Sequence, residues 1–309
     1  RRAIVSATST HKPDRITITT TNVTTQTEQH WLRFSGQVQG NVPHRADNNH
    51  TPEKDALVQI VVPDSDVPSD AWQQAGRLYN YLPTDIQTKL PFHINGDFYP
   101  STDRKSIDIG HDRHRTWNKQ VLQALGDCFA DALPYLLEHF QDEPLQLYQR
   151  LPIRSADELV EEPIQQQFFE AVADLPIFRT KEGWRKKDET RWVSRELRPI
   201  VTDNTHQLID PRLMEADIER AAQVLIDALS VREYTLDDLL RRIQRDVQSG
   251  CSLKHGPAYL CTDEQLNRLY SVFERPIAQD YVSQIRQTPI FIDHNATLWT
   301  AGQCVKTRD

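Results

Sequence analysis

Glycine is scarce in this sequence, 10 in 309 residues, and several chemistries are absent with it. There is no Gly-rich phosphate loop, no G-x-S-x-G nucleophile elbow, no His-Glu-x-x-His and no Cys-x-x-Cys pair. The four cysteines, Cys128, Cys251, Cys261 and Cys304, form no close pairing, which suits a reducing compartment and argues against a disulfide framework. Apolar runs are short: Ala56 to Val62 falls far below the roughly 20 residues a membrane span needs, so no membrane association is expected. Positive charge is the minority, 36 Lys and Arg against 44 Asp and Glu, for a net charge of −8. That balance opposes attraction to phosphate backbones and anionic lipid, so direct nucleic-acid binding is not expected. The opening Arg1-Arg2-Ala3-Ile4-Val5 has neither a start Met nor an apolar signal region, and a cytoplasmic fragment of a longer chain is the expectation.

What is present has globular character, 38% hydrophobic and 26% charged, in a chain long enough for two domains. The first hundred residues read as strands: Ile16 to Thr19 and Trp31 to Val38 alternate, Leu57 to Val62 is β-branched, and Leu78 to Leu82 and Phe92 to Phe98 add two more. Gly40 to Lys54 has no period and reads as an exposed loop. From Thr116 the period becomes helical, with Val121, Leu125, Phe129, Leu133 and Leu137 on one face and Pro134 expected to kink or divide the element. Helix starts are marked by Asp210-Pro211, by Thr235 with Asp238, and by Thr262 with Gln265. The expected fold is α+β: a β-rich, transducer-like region over 1–115, a helical unit over 116–200 and a second over 201–309.

The two helical units share a pattern. Glu161-Glu162-Pro163-Ile164-Gln165-Gln166-Gln167-Phe168 leads to Pro176-Ile177-Phe178, and Glu274-Arg275-Pro276-Ile277-Ala278-Gln279-Asp280-Tyr281 leads to Pro289-Ile290-Phe291 at a constant offset. Phe168/Tyr281 and Val172/Ile285 keep the apolar helix face. Each copy reads as a Pro-started helix, a Pro-Ile-Phe strand, a polar turn and a return carrying Trp184 or Trp299, with the aromatic residues expected in the core. The period exceeds that of familiar solenoids, which points to subdomain duplication. The shared residue types suit packing and contain no catalytic type.

Metal chemistry has little to build on. Cys251, His255 and Cys261 lack a fourth ligand and a common zinc spacing. His111 and His114 stand in a polar stretch and read as solvated, as does the basic run Lys181 to Lys187.

One stretch stands apart: Gly76-Arg77-Leu78-Tyr79-Asn80-Tyr81-Leu82-Pro83, then Leu90-Pro91-Phe92-His93-Ile94-Asn95-Gly96-Asp97-Phe98, Ser101-Thr102-Asp103-Arg104-Lys105 and Trp117-Asn118. This order resembles the repeat regions of sacsin and its bacterial relatives, which carry a nucleotide-binding domain of the heat-shock-ninety type, within the GHKL superfamily. The resemblance covers most of 75–193. It implies ATP and Mg in the intact protein, held by a domain upstream of this chain, because the Glu-x-x-x-Asn helix, the Asp-x-Gly segment and the Gly-rich lid of that domain are missing. This chain alone is then inactive and holds no cofactor; its partners are the upstream domain and a protein client.

The resemblance also implies a basic residue that reaches back to the γ-phosphate. Arg104 is the first candidate, with Lys105 and Lys89 in reserve; Gln87-Thr88-Lys89 is similar to a loop of the gyrase B subunit that does this work. The alternative is that Arg104 pairs with Asp97 or Asp103 and only shapes a turn. A second function class is a nucleotide-independent protein-interaction scaffold, including one within a bacterial defence system.

Overall fold

Alternation along the early strands places every second side chain on one face, and that face becomes a core. In the computed structural model, which describes residues 13–21, 26–38, 56–67, 76–108, 110, 112–153, 160–201, 208–210, 213, 216–248, 263–274, 276–292 and 298–300, the chain is α+β. Its strands are β1 (Asp14–Thr21), β2 (Gln26–Val38), β3 (Ala56–Pro63), β4 (Gly76–Asn80), β5 (Leu82–Thr88) and β6 (His93–Gly96). They form one sheet in the order β1-β2-β3-β6-β4-β5, antiparallel except between β4 and β6. Ala56, Val58, Ile60 and Val62 are fully buried, and the residues between them in β3 are half-buried. The proposed loop Gly40 to Lys54 lies outside the described residues.

Helix α1 (Asp112–His139) covers the buried face with most of the predicted stripe: Val121, Leu125, Phe129 and Leu133 are buried, while Leu137 is half-buried and its neighbour Leu136 is buried. Pro134 does not divide it; the helix runs on to His139. Phe129 stacks on Phe92 at 4.8 Å and meets Phe168 edge-on at 5.9 Å, so one ring joins the sheet to α3 (Glu161–Val172). Gly126 lets α1 and α3 approach, since a Cβ there would lie 2.8 Å from Gln167 Cγ.

The chain divides into two compact units, Arg1–Ile177 with Leu213–Leu229, and Phe178–Arg212 with Ser230–Asp309. In the first, α2 (Pro144–Gln149) packs with α5 (Ala216–Ala228). The second holds β7 (Phe178–Thr180), β8 (Gly183–Arg185), β9 (Trp192–Val193), α4 (Arg198–Val201), β10 (Glu233–Tyr234), α6 (Leu236–Gln248), α7 (Asp263–Phe273), α8 (Val282–Gln287), β11 (Phe291–Ile292) and β12 (Leu298–Trp299). Leu197, Leu236, Leu240, Ile243, Leu269 and Ile290 form its core. The predicted capping box at α6 is present: Asp238 N–H donates to Thr235 Oγ1 (3.3 Å) and Thr235 N–H to Asp238 Oδ2 (3.1 Å). Pro211 and Thr262, from the other two helix starts, lie outside the described residues.

The repeated segments have the same order of elements and differ in detail. Helix α3 starts two residues before Pro163, against the expected Pro start, whereas a 3-10 helix begins at Pro276 and passes into α8. Each is followed by an antiparallel hairpin, β7–β8 and β11–β12. Ile177 and Ile290 are both fully buried, and each carbonyl accepts a tyrosine hydroxyl, from Tyr148 at 2.9 Å and Tyr270 at 2.8 Å. Trp184 departs from the core expectation: it is half-buried, with the Arg179 guanidinium 5.8 Å from its ring.

Candidate functional site

Of the stretch singled out in the sequence, Gly96 to Asn118 builds one turn between β6 and α1. Strand β6 ends at Gly96, where a Cβ would stand 2.7 Å from Val121 Cγ1 and 2.9 Å from Phe98, so glycine is what lets α1 seat there. Trp117 Nε1 donates to Asp97 O at 2.7 Å. Buried Asn118 works as a bracket: its Oδ1 accepts from Tyr99 N–H (2.8 Å), and its Nδ2 donates to Tyr99 O (3.0 Å) and Asp108 O (2.8 Å). Asp108 also pairs with His114 at 2.7 Å, and His114 stacks on Tyr99 at 4.3 Å. His114 is therefore partly solvated, as expected, and is in addition paired with Asp108 and stacked on Tyr99. His111 lies outside the described residues.

Between these anchors, Pro100 and Ile107 form an antiparallel bridge that closes 101–106 into a loop. Ser101 N–H donates to Ser106 O at 2.8 Å, and Ser106 N–H returns to Ser101 Oγ at 3.1 Å. The Ser101 hydroxyl lies 2.5 Å from Asp103 Oδ1, which also accepts Lys105 N–H at 3.0 Å. Those bonds, the hydroxyl first, hold the exposed Asp103 carboxyl below its ordinary range, so it is ionised at neutral pH.

Arg104 sits at the tip with φ +61°, in the left-handed region that a non-glycine residue adopts at a cost. Its N–H is held by Ser101 O at 2.9 Å. The side chain is exposed, and among the described residues it forms no ion pair with Asp97, Asp103 or another carboxylate. Lys105 differs: its Nζ is 3.8 Å from Asp85 Oδ2, with both side chains exposed, and its carbonyl accepts Asp85 N–H at 2.7 Å. Lys89 follows β5, and its N–H donates to Glu161 Oε1 at 2.9 Å, a buried carboxylate at the start of α3. Lys89 is four positions along the chain from Asp85, roughly 13 Å in extended backbone, so Arg104 and Lys105 share one loop while Lys89 stands beyond the end of β5.

Other features were not foreseen. The second sheet face carries a polar ladder from Ser35 to Gln59 (3.4 Å) to Asn95 (3.0 Å) and on to Tyr81 N–H (3.0 Å). The motif residue Asn95 thus ties β6 to β3 and to the β4–β5 turn. Nearby, His93 stacks on Trp31 at 5.3 Å, and burial, then Arg77, pushes its pKa down. At the end of β3, Asp64 meets His139 (2.8 Å) and Arg15 (3.3 Å). Buried Arg150 donates to Pro63 O (2.6 Å) and Asp64 O (2.8 Å) and lies over Phe140.

Among the described residues no three His, Cys, Asp or Glu side chains gather as a metal site, and no helix is long and apolar enough to cross a membrane. Cys251, His255 and Cys261 lie outside the described residues. In chemical terms the loop carries an exposed guanidinium on a hydrogen-bonded backbone. No protein-family model matches this chain, and no curated protein and no solved structure does so either.

Proposed function

We propose that this chain is the transducer and partner-binding region of a sacsin-like, heat-shock-chaperone-type ATPase, in which Arg104 contacts the γ-phosphate of ATP held by a domain outside the chain. The observation carrying this reading is the loop itself. Gly96, Trp117 and Asn118 build its base, Ser101 and Asp103 fix its course, and Arg104 stands at its tip with no carboxylate partner among the described residues. A guanidinium so placed can offset the charge that develops on a transferring phosphoryl group. Lys105, held near Asp85, and Lys89, beyond the end of β5, are the reserve cations.

ATP and Mg belong to the intact protein, and this chain alone binds neither and is inactive. The helix-plus-hairpin segments form the output end, a duplicated unit that presents a surface to a protein client in the cytoplasm; the paired Tyr-to-Ile hydrogen bonds support common ancestry of the two. The test is ATP turnover by the intact protein with Arg104→Ala, expected to fall about 10-fold or more.

A nucleotide-independent interaction scaffold is the second reading. What favours it is the β4–β5 turn, where Tyr81 is 61% and Leu82 75% exposed, an apolar tip suited to a protein partner. Calorimetry of the intact protein with ATP and Mg separates the two, since only the ATPase releases binding heat.

A further inference from the structure

We infer that Ser101 and Asp103 are positioning residues for Arg104: the Ser101 hydroxyl ties one oxygen of the neighbouring acid to the turn, so that the guanidinium is left for an incoming phosphate. The inference rests on the role proposed for Arg104 and is separable from it by experiment.

An ionised Asp103 is the carboxylate nearest to Arg104 along the chain, and a free one would attract the guanidinium and screen it from a phosphate. Here its Oδ1 is occupied from two sides, by the Ser101 hydroxyl at 2.5 Å and Lys105 N–H at 3.0 Å. The hydroxyl has one proton, and Ser106 O, at 3.1 Å, competes for it. The shorter contact and the charged acceptor favour Asp103. Ser101 acts again through its backbone, whose carbonyl accepts Arg104 N–H at 2.9 Å and thereby fixes the residue at φ +61°. The same serine accepts Ser106 N–H on its Oγ, closing the loop across its base. One side chain therefore sets the loop closure and the direction of the adjacent acid. Glycine would relieve the backbone cost at 104, but glycine carries no cation, and the bonds from Ser101 are what keep arginine there.

Ser101→Ala and Asp103→Ala remove the two halves of this contact. In the intact protein each should lower the ATP turnover number about 10-fold, the scale expected when a transition-state contact is displaced by an ångström or less. Affinity for a non-hydrolysable ATP analogue should stay within about twofold, because the ground-state site lies elsewhere. Ser101→Thr keeps the hydroxyl, and Asp103→Asn keeps an oxygen that accepts both hydrogen bonds; both should retain turnover within about twofold. Should Asp103→Ala fail to fold, the comparison of Ser101→Ala with Ser101→Thr carries the test.

Wild-type turnover in Ser101→Ala and Asp103→Ala, with Arg104→Ala impaired, would overturn this inference and leave the function standing. A loss in Asp103→Asn as large as in Asp103→Ala would also overturn it, since charge and not bond geometry would then be responsible. Wild-type turnover in Arg104→Ala would overturn the reading beneath it.

Discussion

The imidazole Nε2 of His139 stands 2.8 Å from the buried Oδ1 of Asp64, and this contact joins the last turn of α1 to the end of β3. Burial alone would raise the Asp64 pKa. The hydrogen bonds from His139 and Ser65 N–H, with the charge of Arg15, outweigh it and lower the value below 3.8. A depressed folded-state pKa stabilises the fold above the unfolded value, and that stability is lost as pH falls through the folded one. Asp64→Asn should therefore cost about 1–2 kcal/mol at pH 7, and the gap to wild type should close below about pH 4. Urea unfolding at a series of pH values measures this; a gap that widened toward acid would contradict it.

Arg150 is fully buried and holds three carbonyls, Pro63, Asp64 and Gln146. Burial is the main influence on its pKa and lowers it to about 10, so the side chain is still charged at neutral pH. Arg150→Ala removes the guanidinium donors from those carbonyls, of which Asp64 O keeps only Val67 N–H at 3.2 Å, and opens a space beside Phe140. The expected loss is about 3 kcal/mol or more, read as a lower urea midpoint at constant slope. A loss under about 1 kcal/mol would mean that water replaces the guanidinium freely.

Cys128 lies on the face of α1 turned to the sheet, and burial, with Asp131 and Asp127 nearby, pushes its thiol up to about 12. The thiolate is the reactive form. Peptide-resolved mass spectrometry after iodoacetamide treatment at pH 8 should find Cys128 unmodified in the native protein and alkylated in urea. Native alkylation at the rate of a free thiol would show that the α1–sheet contact opens.

Gly96→Ala would set a Cβ 2.7 Å from Val121 Cγ1 and force α1 away from β6. The cost should be about 1–3 kcal/mol, visible as a lower melting temperature. Because Trp117 and Asn118 start from the same helix, ATP turnover of the intact protein should fall with it. A melting temperature equal to wild type would remove the steric reading of this glycine.

Residues whose partners follow from local period were legible in the sequence. Strand β3 and helix α1 emerge where predicted because alternation and the 3.6-residue repeat each need one neighbouring surface to bury against. Strand β5 was missed because Leu82-Pro83-Thr84-Asp85 carries a proline and a charge; it lies at the sheet edge, where both are tolerated. The contacts His139–Asp64 and Lys89–Glu161 join residues 75 and 72 apart in the chain, and no local pattern encodes such pairs. The Arg104 loop falls between. Its tip could be named from the motif, but its left-handed backbone and the two hydrogen bonds on Asp103 Oδ1 emerge only once the Pro100–Ile107 bridge closes it.

The central claim is that Arg104 supplies charge to a phosphoryl transfer performed elsewhere in the intact protein. Steady-state ATP hydrolysis by the full-length Arg104→Ala protein tests it most directly. The account predicts turnover lowered about 10-fold or more with nucleotide affinity unchanged. Turnover equal to that of the wild type would contradict it.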